Sequence, residues 1–186
     1  MRASRTGLRF GRASFRRMFR LPAHALEIVH NYRTCEFTTM SKRGVPVTWP
    51  VTPLLCDDGR FLLGTSIGLP QKAFNIRRNP KVSLLFSEPR ASAVAQPGAL
   101  LVRGDATAAD RIVTDMAITP DFERLMTERI FARQPASKLM SSWLGRTLLK
   151  PYYMRILIYV TARRIDYWPT RDFAAAPQRI EVAHVG

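Results

Sequence analysis

Acidic residues are scarce in this 186-residue chain: 14 Asp and Glu stand against 29 Lys and Arg, for a formal net charge of +15. A balance of that sign excludes a basic ligand as the default partner and favours polyanions, anionic surfaces or multiply charged small molecules. Cysteine is almost absent. Cys35 and Cys56 sit far apart, each in a strand-like run and neither in a C-x-x-C pair, so they read as core thiols of a reducing, cytoplasmic compartment rather than as a disulfide framework. Histidine occurs three times, at His24, His30 and His184, without metal-ligand spacing, and no metal site is expected. Long apolar runs are lacking as well. The longest lies in the stretch 152–160, well short of the roughly 20 residues that span a bilayer, and no transmembrane helix is expected.

Hydrophobic residues make up 46% of the chain, enough for one domain with a sizeable core, and no linker divides it. The basic excess is concentrated at one end. Arg2, Arg5, Arg9, Arg12, Arg16, Arg17 and Arg20 all precede the first acid, Glu27. Residues 1–20 read as a separable basic tail without fixed structure. As a helix, the tail would align Phe15 with Phe19 and could touch an anionic membrane surface; its acid-poor composition also resembles an organelle targeting segment. The body remains basic without it, yet no nucleic-acid-binding motif is present, and no specific nucleic acid is expected.

Along the body, Pro22 opens a short helical pattern with Leu26, Val29 and Tyr32 on one face. Residues 33–40 have strand composition, Ser41 to Gly44 form a turn, and a second strand runs over 45–56. That strand carries Pro46, Pro50 and Pro53. Each proline removes a ladder donor, so an edge, a bulge or a bend is expected there. Alternation puts Val45, Val47, Trp49 and Val51 on one face, and Trp49 reads as core or as a platform for a planar ring.

The stretch from Phe61 to Phe86 reads as strand, loop, helix, strand. The helical piece covers 71–78, with Pro70 at its first position and Asn79–Pro80 stopping it. Its first turn has no carboxylate to complement the positive helix end, and it has Lys72. Free amides of Gln71 and Lys72, hydroxyls of Thr65 and Ser66 and the Lys72 ammonium make a phosphate cradle; the plainer reading is a solvated turn with an ordinary lysine. Farther on, 99–108 suggests a strand. A helical period follows over 109–145, interrupted by Pro120 and Pro135, and two closing strands, MRILIYV and RRIDYW, end at Trp168. Residues 169–186 show little pattern and read as a surface tail.

Three runs carry a resemblance: G-V-P-V-T-W-P-V at 44–51, D-D-G-R-F-L-L-G-T-S at 57–66 and K-A-F-N-I-R-R-N-P-K-V-S-L-L-F at 72–86. With V-R-G-D-A at 102–106 and the closing strands, they resemble the pyridoxamine 5′-phosphate oxidase-like family over residues 22–168. The resemblance implies an α+β, mainly antiparallel split β-barrel over 21–168, with a helical excursion before the last strands. It implies a homodimer that binds FMN, or in some branches a deazaflavin coenzyme, in a groove at the subunit interface. The cofactor-binding positions it implies are Thr65, Ser66, Gln71 and Lys72 for the phosphate and Trp49, Pro50 and Val51 along the ring system.

The chain departs from the pyridoxamine-phosphate oxidases proper in having Trp49 where they carry an arginine, and in lacking their C-terminal arginine-rich substrate motif. Vitamin B6 oxidation is therefore not expected. The expected function is an FMN-dependent oxidoreductase acting on a small molecule by hydride transfer, with no proton-transfer residue assigned. The alternatives are a deazaflavin-dependent reductase and a non-catalytic protein that binds a cofactor or haem on the same scaffold.

Overall fold

Two glycine turns set the first hairpins. Gly44 (φ 75°) and Gly59 (φ 84°) both occupy the left-handed region that a side chain disfavours, and they close the turns before β2 and before β4. A computed structural model describes residues 21–90, 94, 97–115, 118–133 and 154–182. The basic tail 1–20 and the helical pattern from Pro135 through Leu144 lie outside the described residues.

The elements are α1 (Ala23–Asn31), β1 (Cys35–Met40), β2 (Pro46–Val51), β3 (Leu54–Leu55), β4 (Phe61–Ser66), α2 (Gln71–Arg78), β5 (Lys81–Phe86), β6 (Ala99–Val113), α3 (Pro120–Arg124), β7 (Arg155–Trp168) and β8 (Gln178–Ile180). The eight strands form one antiparallel sheet in the order β2-β1-β5-β6-β7-β4-β3, with β8 pairing the end of β7. This is the mainly antiparallel α+β arrangement expected from the sequence. The order of elements in the sequence suggests a closed antiparallel barrel; the sheet instead curls without closing, because β2 and β3 stand at opposite ends of the strand order.

Prolines explain the opening. The expected single strand over 45–56 breaks at Thr52–Pro53 into β2 and β3, and Pro46 and Pro50 fall on β2, an edge strand whose outward side has no ladder to lose. Val47, Trp49 and Val51 pair with Thr39, Phe37 and Cys35 across the β1–β2 ladder, so they share the inner face, half-buried because no strand flanks β2 beyond β1.

Three expectations are corrected. The region 109–113, read as the start of a helical stretch, continues β6: Ile112 and Val113 pair with Ile156 and Arg155 of β7. A long partner strand overrides the local helical period there. The two closing strands are one, β7, 14 residues long, with its register against β6 shifted at Arg103/Gly104. Residues 178–180, read as part of a patternless tail, add β8 and bury Ile180. In addition, Pro70 is the N-cap of α2 rather than its first helical residue.

The main core lies inside the curled sheet, with Phe37, Phe61, Leu84, Phe86, Val102, Ile158 and Val160, and α1 covers one end through Ala25, Ile28, Val29 and Tyr32. A second cluster, built on Phe122, Leu125 and Met126, packs beneath Leu54, Leu62 and Leu157. Its helix starts at Thr119, whose hydroxyl caps the Phe122 amide, and widens into a π-helical segment over Leu125–Ile130. Arg129 in that segment is buried, and its guanidinium donates to the carbonyls of Val29, His30, Tyr32 and Pro53. The last turn of α1 and the β2–β3 break are thereby tied to the second cluster.

Both cysteines are buried and free. Burial pushes the Cys35 thiol well up, and burial together with Asp121 and Asp58 pushes Cys56 up to about 12. The thiolate is the reactive form. A chromogenic disulfide reagent at about pH 8 should therefore titrate almost no thiol in the native protein and both after unfolding; fast stoichiometric reaction of the native protein would contradict the burial. Among the described residues, no helix is long and apolar enough to cross a membrane.

Candidate functional site

The site is organised by one buried polar residue that sequence reasoning missed. Asn75, on α2 and fully buried, donates from Nδ2 to the hydroxyl of Thr39 on β1 at 2.9 Å. Its Oδ1 accepts from Gln71 Nε2 at 2.8 Å and from the Arg78 guanidinium at 2.7 Å. A buried amide must be satisfied, and this one is satisfied by fixing α2 to the inner face of β1. The signal was present: asparagine is a poor helix former, yet here it shares the buried face of a short helix with Ala73 and Ile76.

That pin determines where Lys72 goes. Lys72 is three residues before Asn75 and shares its helix face. Thr39 and Phe37 are two apart on β1, and Phe37 faces Trp49 across the ladder. Lys72 consequently reaches the indole of Trp49, its ammonium 4.9 Å from the ring centroid. Partial burial lowers the Lys72 pKa from its ordinary value by desolvating the ammonium. A cation partly shielded from water against an aromatic face is a ready partner for an anion.

The helix start adds donors. The carbonyl of Pro70 accepts the first helical bond, from Phe74, while no side chain caps the first turn and no acid lies in it. The amides of Gln71 and Lys72 thus stand ahead of the helical ladder, at the positive end of α2.

The remaining expected residues divide. The Thr65 hydroxyl is buried and donates to the Leu69 carbonyl at 2.9 Å, so it orders the β4–α2 loop. Ser66 Oγ accepts from the Gly68 amide at 3.4 Å, a long contact that leaves its hydroxyl proton for another acceptor. Gln71 spends its amide N–H on Asn75. Val51 lies on the inner face, packed against the main core. Pro50 falls on the outer face with Glu36, opposite to the face that carries Trp49. The structure therefore brings together Trp49, Lys72 and the α2 amides, whereas Ser66, at the end of β4, follows Thr65 and alternates to the opposite face of that strand. Along the loop and on the outward side of α2, Leu69 is 68% exposed, and Ile67 and Phe74 are exposed too.

Chemically, the arrangement offers one partly desolvated ammonium, two backbone N–H donors and a half-buried indole at an open sheet edge. It fits a ligand with an anionic head and an aromatic or apolar body.

A sequence model of the family described as pyridoxamine 5′-phosphate oxidase matches residues 21–153. No curated protein sequence matches the chain. Among solved structures, the conserved hypothetical protein Rv2991 from Mycobacterium tuberculosis aligns with a TM-score of 0.51 at 20% identity, over 92% of this chain and 96% of that one. A protein from Clostridium acetobutylicum, related to general stress protein 26 of B. subtilis and described as of the pyridoxinephosphate oxidase family, gives 0.51 at 17% identity, over 84% and 92%. A haem-binding protein from Mycobacterium smegmatis gives 0.51 at 14%, over 87% of this chain and 59% of that one. At these identities the likeness is one of fold.

Proposed function

The chain belongs to the pyridoxamine 5′-phosphate oxidase family, and from that premise we propose that it binds FMN at the start of α2 and serves as a flavin-dependent oxidoreductase for a small molecule. The observation that carries the reading is the Lys72 ammonium held over Trp49 beside a helix start with no acid and no side-chain cap. The Lys72 ammonium and the amides of Gln71 and Lys72 would hold the phosphate. Trp49 and Val51 would border the ring. The flavin would supply hydride transfer; the protein's part is binding, orientation and exclusion of water. Thr65 and Gln71 act at one remove, shaping the loop and fixing Asn75.

Two buried free thiols support a reducing, cytoplasmic setting. The exposed apolar side chains of the loop and α2 and the open β2 edge support a homodimer with the cofactor between subunits. Sedimentation velocity should give a dimer, and a monomer at all concentrations would remove that part of the reading.

Absorbance spectra of the purified protein, alone and after addition of FMN or a deazaflavin, test the cofactor. Absence of binding by either flavin would overturn the proposal. Lys72→Ala is expected to weaken FMN binding by roughly 10- to 100-fold, the equivalent of one charge-assisted contact of about 1.5–3 kcal/mol. Titration followed by flavin fluorescence checks this, and unchanged affinity would take Lys72 out of the site.

A second reading rests on a specific observation. The Thr65 hydroxyl and the Gln71 amide are engaged within the protein, which leaves fewer phosphate donors than the sequence implies. Haem propionates are also anions that Lys72 could pair, and one structural neighbour is described as haem-binding. A haem band in place of a flavin spectrum, with no turnover of quinones or nitro compounds, would favour this non-catalytic alternative.

A further inference from the structure

The outer face of the sheet, which the proposed flavin site does not use, carries a groove of about 400 Å³ where β1, β5, β6 and β7 run side by side. Lys81, Arg103 and Arg163 line it, together with Thr38, Ser83 and Met40. The volume is that of a small-ligand site.

The charges around the groove do not balance. Lys81 and Arg163 share a single carboxylate, Asp105, at 2.6 and 2.8 Å. Arg103, Arg164 and Arg179 converge on another, Asp166, at 2.9, 2.9 and 3.9 Å. Asp166 is 1% exposed, whereas all five cations keep much of their side chains in solvent. Among the described residues of these strands, one further acid lies on this face, Glu36 of β1, which accepts a hydrogen bond from Ser87. Five cations therefore stand against three carboxylates, and the two beside the groove are each shared.

The concentration of cations is built by the backbone. The β6–β7 register passes from Arg103↔Arg164 directly to Gly104↔Ala162, so Arg163 is an extra residue in β7. In a regular strand Arg163 and Arg164 would face opposite ways. The bulge instead lets Arg163 reach Asp105 while Arg164 reaches Asp166. Gly104 permits it: a Cβ there would overlap the Thr161 carbonyl.

We propose that this groove is a second binding site, for a small ligand bearing an oxyanion, either a carboxylate or a phosphate monoester, held by Lys81, Arg163 and Arg103. The hydroxyls of Thr38 and Ser83 supply neutral hydrogen bonding, and Met40 contacts the apolar part of the ligand. The site does not depend on the flavin reading, since α2 and Trp49 take no part in it.

Amide chemical-shift mapping tests it, with citrate and inorganic phosphate as separate probes on the full chain. The two arms distinguish a carboxylate ligand from a phosphate. Saturable shifts are expected at the amides of Thr38, Ser83 and Gly104 with at least one probe. They should weaken at least tenfold in the double variant Lys81→Gln, Arg163→Gln and persist in Lys72→Gln. Asp105→Asn, which releases Lys81 and Arg163 from their shared carboxylate, should bind severalfold more tightly, a gain that misfolding cannot mimic. The proposal is overturned by shifts confined to the start of α2, by absence of saturation with both probes, by undiminished binding in the double variant, or by weaker binding in Asp105→Asn.

Discussion

Replacing Arg129 with alanine is expected to destabilise the protein by about 3 kcal/mol or more. Its guanidinium, buried beneath α1, donates to four carbonyls: Val29, His30, Tyr32 and Pro53. Val29 and His30 belong to the last turn of α1 and Tyr32 is its C-cap, where carbonyls lack helical donors and a cation is favoured by the helix dipole. Alanine would strand these acceptors away from water and leave a cavity among the residues of the second cluster. For a chain of this size the loss corresponds to roughly 6–12 °C in Tm.

Arg129→Lys keeps the charge but presents a single ammonium in place of a planar fork, so it should recover only part of the loss. Urea denaturation of the two variants measures the effect. A change below about 1 kcal/mol for the alanine variant would show that the carbonyls find other donors. Because Pro53 sits at the break between β2 and β3, loosening this anchor should also reduce ligand binding at Trp49, two strand residues before Val51.

Gly104→Ala is the second large effect. In an ordinary strand, alanine for glycine is mildly favourable, because it restricts the unfolded chain. At Gly104 the new Cβ would collide with the Thr161 carbonyl and lie 3.0 Å from its carbon and 3.2 Å from the Ala162 Cα. All three are backbone atoms of the paired strand, which cannot swing aside as a side chain can. Relief requires opening the β6–β7 ladder at the bulge, at a cost of about 3 kcal/mol by analogy with overpacked cores. The same opening would move Arg163, so oxyanion binding in the outer groove should fall together with stability. Thermal unfolding and shift mapping of the one variant read both. A stabilised Gly104→Ala protein would mean that the ladder yields there, and the bulge would then not be held by the missing Cβ.

Much of the fold was legible because its signals are local. Gly44 and Gly59 mark turns that only a positive φ can make, Asn79–Pro80 ends α2, and the prolines over 45–56 announce an edge, a bulge or a bend before any neighbour is known, of which the structure shows an edge and a break. The site was legible in part. Lys72 and Trp49 were each singled out by their sequence surroundings, and the structure brings their side chains into contact. Asn75, which puts them there, was hidden because its partner Thr39 is 36 residues away. The extension of β6 past Ala108 was hidden for a related reason: the pattern of 109–113 suits a helix, and the availability of β7 as a partner outweighs it.

By itself the sequence determined the type of most elements before residue 109, the break that prolines impose over 45–56, the acid-free start of α2 and the excess of positive charge, all of which follow from side-chain chemistry acting within a few residues. Tertiary structure decided the rest. The register that makes Arg163 an extra residue, the reach of Arg129 to carbonyls 76 to 100 positions away and the placement of Lys72 over Trp49 are properties of strands and helices meeting. Their physical cause is the need of buried backbone and amide groups for hydrogen-bond partners, a demand that burial creates and that only the folded chain can meet.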